Sequence, residues 1–213
     1  MNTSASTSAP AKGTVSARPR SLRWRVVDIV VASVIGVASG LIFLLWNVGY
    51  LGPSALLEPL LPGLQGLLDG PWLFAGVLGA LIIRKPGAAI YTETLAAVVS
   101  ALVGNQWGGF LTLEAGLVQG LGAELVFLLF LYRRWTLPVA MLAGVGAALF
   151  GAVNNLILWY VGADTVFTVV YLVSAAVSGA VVAGLLSWLL ARGLAATGAL
   201  DRFASGREVR ERV

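Results

Sequence analysis

Six apolar stretches divide this chain, and arginine and lysine gather in every second gap between them. No other feature restricts the fold as much. Apolar runs of about 20 residues match the ~30 Å of hydrocarbon in a bilayer, where a helix satisfies its own backbone. The runs are continuously apolar rather than alternating, which argues against a barrel. Apolar residues make up 58% of the sequence and charged residues 11%, more apolar surface than a soluble fold of 213 residues can hide. The expected fold is all-α: a polytopic membrane protein with six transmembrane helices. Their approximate spans are Val26 to Val48, Pro71 to Ile83, Ala88 to Gly104, Leu111 to Leu131, Pro138 to Tyr160 and Val166 to Leu190. The second and third are short for a crossing.

The charges orient these spans. Lys12, Arg18, Arg20, Arg23 and Arg25 precede the first. Arg84 and Lys85 follow the second, Arg133 and Arg134 the fourth, and Arg192, Arg202, Arg207, Arg210 and Arg212 the sixth. The other gaps hold Glu58, Asp69 and Asp164 with no basic residue. All 14 basic residues therefore share one side of a six-span chain, and the positive-inside rule makes both termini cytoplasmic. Five or seven spans would break this pattern. Residues 1–21 are small, polar and proline-containing and read as a disordered cytoplasmic tail. Residues 22–192 form the transmembrane domain, and 193–213 a cytoplasmic C-terminal tail. The net charge of +4 sits at helix ends, as anionic lipid favours, and no basic groove interleaved with aromatics points to nucleic acid. The partner implied is the lipid bilayer of the cell membrane.

Much chemistry is missing. The chain has no cysteine and no histidine, which removes disulfides, thiolates and the commonest metal ligand. It has no glycine-rich loop closing on Gly-Lys-Ser/Thr and no serine in a nucleophile elbow. The reading is therefore no enzyme, no metal and no cofactor in this chain. Transport against a gradient would draw on ions or on another subunit.

Polar groups inside hydrocarbon need a partner or a purpose. The fourth span enters from outside, so Glu114 lies near its outer end, with Gln119 about 7.5 Å and Glu124 about 15 Å deeper. Asn154 and Asn155 fall in the outer half of the fifth span. Trp46 and Asn47 close the first, Tyr171 lies in the outer half of the sixth, and Gln106 and Trp107 join the third to the fourth. Amides, aromatics and one acid at matching depth suit a pocket for a flat, polar small molecule, cationic or neutral. An interfacial aromatic belt explains Trp46, Trp159 and Tyr160 equally well, but not the Asn154–Asn155 pair, Gln119 or Glu114. Glu93 and Glu124 lie nearer the cytoplasmic face. A proton relay through them would make the chain a self-contained ion-coupled carrier; a structural pairing, or an arginine snorkelling up to them, is the plainer alternative.

Ala32, Gly36 and Gly40 recur every four residues and leave one face of the first span nearly flat. Such a face receives another helix closely, either a partner's or a neighbour's within the same chain. Asp28, beside Arg25 in the first turn, reads as structural. Arg84 to Gly87 read as a tight inner turn. The connection after the first span, around Glu58 to Gly63, is too apolar for an ordinary loop and suits a surface lid.

Five stretches together carry a family resemblance: Asn47–Tyr50 (NVGY), Pro71–Ala88 (PWLFAGVLGALIIRKPGA), Ala96–Gly108 (AAVVSALVGNQWG), Gln119–Phe127 (QGLGAELVF) and Arg133–Trp135 (RRW). The sequence resembles the YkoE family, the substrate-binding (S) component of an energy-coupling factor ABC transporter for thiamine or its hydroxymethylpyrimidine precursor. The resemblance covers about residues 22 to 192. It implies an S-component-like bundle with an outward ligand site, covered by the loop after helix one. It also implies a transmembrane scaffold subunit and cytoplasmic ATPase subunits that use the ATP. Small residues on the first helix commonly contact the scaffold in this class, typically as Ala-x-x-x-Ala, so Ala32, Gly36 and Gly40 become the expected docking face. The residues expected to bind substrate are Glu114, Gln119, Asn154, Asn155, Trp107, Gln106, Asn47, Trp46 and Tyr171.

Overall fold

The computed structural model describes residues 22–206, and every regular element among them is helical. The expected N-terminal tail and positions 207–213 lie outside the described residues.

Helix α1 (Val26–Gly49) starts where Asp28 reaches back to accept the Arg25 N–H at 2.7 Å. It is followed at once by a short surface helix, α2 (Leu51–Leu57), which has no buried residue. The chain then tightens into two 3-10 turns, Leu64–Leu68 and Gly70–Trp72. Helix α3 (Phe74–Ile83) follows, later than the expected Pro71, because Pro71 belongs to the second of those turns. All ten residues of α3 are buried. It stops at Arg84, which adopts a left-handed conformation (φ 56°), and Gly87 (φ 83°) completes the expected inner turn. Helix α4 (Ala88–Val103) begins directly after it.

Helix α5 (Gly109–Leu129) and helix α6 (Leu137–Leu158) cross where both lack side chains: a Cβ on Gly146 would lie 2.6 Å from the Gly122 carbonyl oxygen. Pro138 sits in the first turn of α6, where its missing N–H costs nothing. Helix α7 (Thr165–Ser178) is capped by Asp164, which accepts the Phe167 N–H at 2.8 Å. It runs through a π-helical stretch, Gly179–Leu186, into helix α8 (Ser187–Ala196). This last apolar rod, Thr165–Ala196, is longer than the expected Val166 to Leu190.

Among the described residues, four rods are long and apolar enough to cross a membrane: α1, α5, α6 and Thr165–Ala196. Helices α3 and α4 are apolar but shorter. The whole is an all-α, polytopic membrane bundle. Neighbours pack in the order α1, α4, α5, α6 and α7, with α3 in the middle.

Two expectations change here. The strip of Ala32, Gly36 and Gly40 is not free for a partner, because α4 lies on it. A Cβ added at Gly36 would stand 3.0 Å from Leu95, and one at Gly40 would stand 2.6 Å from the Val99 Cβ and 2.7 Å from the Ala96 carbonyl oxygen. The flat face serves close packing inside the chain. Nor are residues 193–206 a free polar tail. Leu200 and Phe203 are buried, Ser205 donates a hydrogen bond to the Ile82 carbonyl at 3.2 Å, and the Arg25 guanidinium lies 5.8 Å from the Phe203 ring. This segment closes one end of the bundle beneath α3. Asp28 and Lys85, both buried, pair there; Arg25 joins Asp28 at 2.8 Å, and Lys85 also donates to the Arg23 carbonyl. Two cations beside one acid satisfy a carboxylate that burial alone would penalise.

Candidate functional site

A cavity of about 180 Å³ opens at the other end of the bundle. Its position follows from the short helices. Because α3 starts late, the segment before it folds across this end and brings Asp69 and Trp72 to a cavity lined also by α1, α4 and α5. This segment rests on α7 through glycine. Gly63 (φ 98°) takes a backbone conformation that L side chains rarely adopt, and a Cβ there would meet the Phe167 carbonyl oxygen at 2.7 Å. Ser178 locks the arrangement, accepting the Gly70 N–H at 2.9 Å and donating to the Leu67 carbonyl at 2.6 Å.

Asn47 organises one wall. Its side-chain oxygen accepts the indole N–H of Trp72 at 2.8 Å and that of Trp107 at 3.3 Å, while its amide donates to Ser100 at 3.1 Å. One buried amide thus sets two ring planes, 89° apart with centroids separated by 6.1 Å. Tyr50 packs against both rings and Trp159 against Trp107, at centroid distances of 5.0 to 6.2 Å. The result is an aromatic box with negative ring faces and no lysine or arginine among its lining residues.

The opposite wall is a hydrogen-bonded relay. Asn155 donates to the Tyr171 hydroxyl at 2.8 Å, and Tyr171 donates to Asp69 at 2.9 Å. Asp69 is the acid of the cavity. Burial pushes its carboxyl up to about 7, against the opposing pull of the Tyr171 hydrogen bond. Gln119 and Thr112 of α5 supply further polar atoms beside Ala115 and Gly116.

Of the expected substrate-binding residues, the fold brings Asn47, Trp107, Gln119, Asn155 and Tyr171 to this cavity. It does not bring Glu114, Asn154, Gln106 or Trp46. Glu114 and Asn154 hydrogen-bond to each other at 2.9 Å on the flank between α5 and α6. The cause is helical phase: five residues turn Glu114 about 140° away from Gln119. Gln106 is exposed, and Trp46 stands behind Trp72, donating to the Leu68 carbonyl at 3.1 Å. Sequence reading passes over Asp69, Trp72 and Tyr50 and assigns Trp159 and Tyr160 to a belt; all five line the cavity. The available signal was Asp69-Gly70-Pro71-Trp72, an acid beside an indole in a connection with no basic residue.

Glu124 does not stand free for a relay. Its two carboxyl oxygens accept the Gly87 N–H at 2.6 Å, the Ala89 N–H at 2.8 Å and the Tyr132 hydroxyl at 2.7 Å, which caps the start of α4 from the neighbouring helix. Glu93 is buried apart from it, one oxygen accepting the Gly76 N–H.

Three comparisons agree with this architecture. A family model described as the permease component of an ABC-type cobalt transport system matches residues 27–150. The protein YkoE of Bacillus subtilis (strain 168), named as a proposed HMP/thiamine permease, is 37% identical over 196 residues, covering 89% of this chain and 94% of that protein. A crystal structure of an S-component of an ECF transporter matches with a TM-score of 0.82 and 35% identity, over 89% of this chain and 95% of the other. The cobalt of the family description finds no donor set here: among the described residues, no three His, Cys, Asp or Glu side chains gather to hold a metal ion.

Proposed function

This chain belongs to the YkoE family of S components of energy-coupling factor transporters, and from that premise we propose that its outer cavity captures thiamine, with hydroxymethylpyrimidine as the weaker ligand. It is a non-catalytic, multi-pass membrane subunit that works with a transmembrane scaffold and ATPase subunits, which consume the ATP. One observation carries the choice of ligand: an aromatic box holding a single acid and no basic residue. Rings such as Trp72 and Trp107 attract a cation through their faces, and Asp69 balances its charge. The thiazolium of thiamine is such a cation, whereas the free pyrimidine is neutral. Gln119, Asn155 and Thr112 are the candidates to read the aminopyrimidine edge. Phosphorylated forms would bring negative charge to a wall with no cation to meet it.

The same reading takes α3 and α4 as crossings too, giving six spans within residues 22–192 and both termini in the cytoplasm. What supports it is the meeting of Lys85 with Asp28 and of Arg25 with Phe203 at one end of the bundle, away from the cavity. The test is titration of the purified protein without ATP, followed by intrinsic tryptophan fluorescence. Thiamine should saturate tightly, hydroxymethylpyrimidine at least tenfold more weakly, and thiamine phosphate more weakly still. Saturation by none of the three overturns the proposal. Equal affinity for pyrimidine and thiamine removes the cationic reading.

A further inference from the structure

Glu93 is 1% exposed and sits on α4 between two glycines. One carboxyl oxygen accepts the Gly76 N–H at 2.6 Å, and the other has no hydrogen-bond partner among the described residues. Gly76 is the third residue of α3, so its N–H belongs to the free donors of a helix start, and Leu73 at the cap has no side-chain oxygen to offer. In a bundle interior without water, such a donor needs a partner from another helix. The neighbours are shaped for this one. A Cβ on Gly76 would lie 3.0 Å from the Glu93 carboxyl oxygen, and a Cβ on Gly120 of α5 would lie 3.1 Å from the Glu93 Cβ. Either methyl would crowd the carboxyl group away.

The consequence reaches the cavity. Two residues before α3 stands Trp72, and three before that Asp69; both line the cavity. On α4 itself, Ala97 and Ser100 lie four and seven residues beyond Glu93, on its face, and also line it. Glu93 therefore ties the helix that delivers Trp72 and Asp69 to the helix that forms the facing wall.

We propose that Glu93 is a positioning residue for the vitamin pocket, acting as a hydrogen-bond acceptor that fixes the start of α3 and, through it, Trp72 and Asp69. The role needs an acceptor oxygen and no charge. That separates it from a carrier in which Glu93 would cycle a proton. The inference about ligand rests on the function proposed above, while the contact to Gly76 does not.

Two measurements on Glu93→Gln, Glu93→Leu and Gly76→Ala test it. The first is hydrogen–deuterium exchange of the segment 69–78 in the empty protein. Exchange should be at least tenfold faster in Glu93→Leu and Gly76→Ala and unchanged in Glu93→Gln, which keeps the acceptor. The second is thiamine affinity, expected to fall tenfold or more in the first two variants and less than threefold in Glu93→Gln. Combining Glu93→Leu with Trp72→Phe should then cost less than the product of the separate losses, because both act through one ring; a general loosening of the bundle would give the full product. Normal exchange and affinity in Glu93→Leu overturn the proposal, and so does a Glu93→Gln variant as impaired as Glu93→Leu. If Glu93→Leu does not fold, Gly76→Ala carries the same comparison. If wild-type protein ignores thiamine, the function fails while the exchange arm still decides the role of Glu93.

Discussion

At the cavity end, Asn47 holds two indoles apart and Asn155 passes a hydrogen bond through Tyr171 to Asp69, and the space they frame stays open. At the opposite end, Glu124 closes on two backbone N–H groups and a tyrosine, Asp28 closes on Arg25 and Lys85, and Phe203 is buried. Both ends bury amides or acids, with opposite results. Around the cavity, side chains bind mostly other side chains and leave ring faces and one carboxyl group turned to the open space. At the Asp28 end, Glu124 and Asp28 are taken up by a helix start and by cations. A subunit that captures its ligand from one side needs this asymmetry.

The comparison breaks most visibly at Asp28. Replacing it with leucine would strand Lys85, which is only 7% exposed, beside a carbonyl and no acid. Removing one partner of a buried ion pair costs about 3–5 kcal/mol. Thermal unfolding in detergent should show a loss of that size for Asp28→Leu and a partial recovery in Asp28→Leu/Lys85→Met. Thiamine affinity of the protein that remains folded should change less than threefold. An unaltered melting temperature would mean that charge does not seal the end of the bundle around Asp28.

At Asp69 the expected effects reverse: binding suffers and folding does not. At an effective dielectric of about 20, opposite charges several ångström apart attract by a few kcal/mol, so Asp69→Asn should weaken thiamine roughly tenfold to a hundredfold. Hydroxymethylpyrimidine should lose less than threefold. The pH dependence follows in sign. With its carboxyl at about 7 in the empty protein, Asp69 becomes a carboxylate only as the pH climbs through that value. Affinity for a cation should fall as pH drops below 7, by up to roughly tenfold per unit, and Asp69→Asn should flatten the profile. Stability of the empty protein runs the other way. A raised carboxyl favours the fold at pH values below the ordinary ~4, and that contribution is lost as pH rises through about 7. A thiamine affinity independent of pH between 5 and 8 would remove Asp69 as the counter-charge.

The helical bundle was legible because apolar run length and basic end residues follow from the solvent, whatever touches what. The depth of the polar cluster was legible for the same reason, and Asn47, Trp107, Gln119, Asn155 and Tyr171 do meet. Which wall a residue faces was not, since depth says nothing about rotation. Glu114 and Asn154 share the depth of the cavity and lie on its flank. Asp69 and Trp72 escaped notice because they sit outside any helical period, in a connection whose path is set by contacts with α7 more than a hundred residues away. The strip of Ala32, Gly36 and Gly40 was correctly legible as a close contact, but a flat face does not name the helix that covers it; here α4 does. Glu93 and Glu124 looked like a pair because both are acids at similar depth, yet each answers to a different helix start.

The smallest expected effect is the sharpest check on the boundary of the cavity. Glu114 is an acid at the right depth with the wrong rotation. Its carboxyl group accepts the Asn154 amide at 2.9 Å, and neither residue lines the cavity. Glutamine at this position keeps an oxygen for that amide and removes only a charge that faces away from the residues lining the cavity. A partly exposed pairing of this kind is worth about 0.5–1 kcal/mol at most. Glu114→Gln should therefore shift thiamine affinity less than about threefold and leave its pH profile as in the wild type. Asp69→Asn, measured alongside, should give the large loss. Should the two variants lose affinity equally, the ligand reaches the α5–α6 flank and the cavity drawn around Asp69 is too small; should Glu114→Gln alone lose it, the counter-charge belongs to α5 and not to the connection before α3.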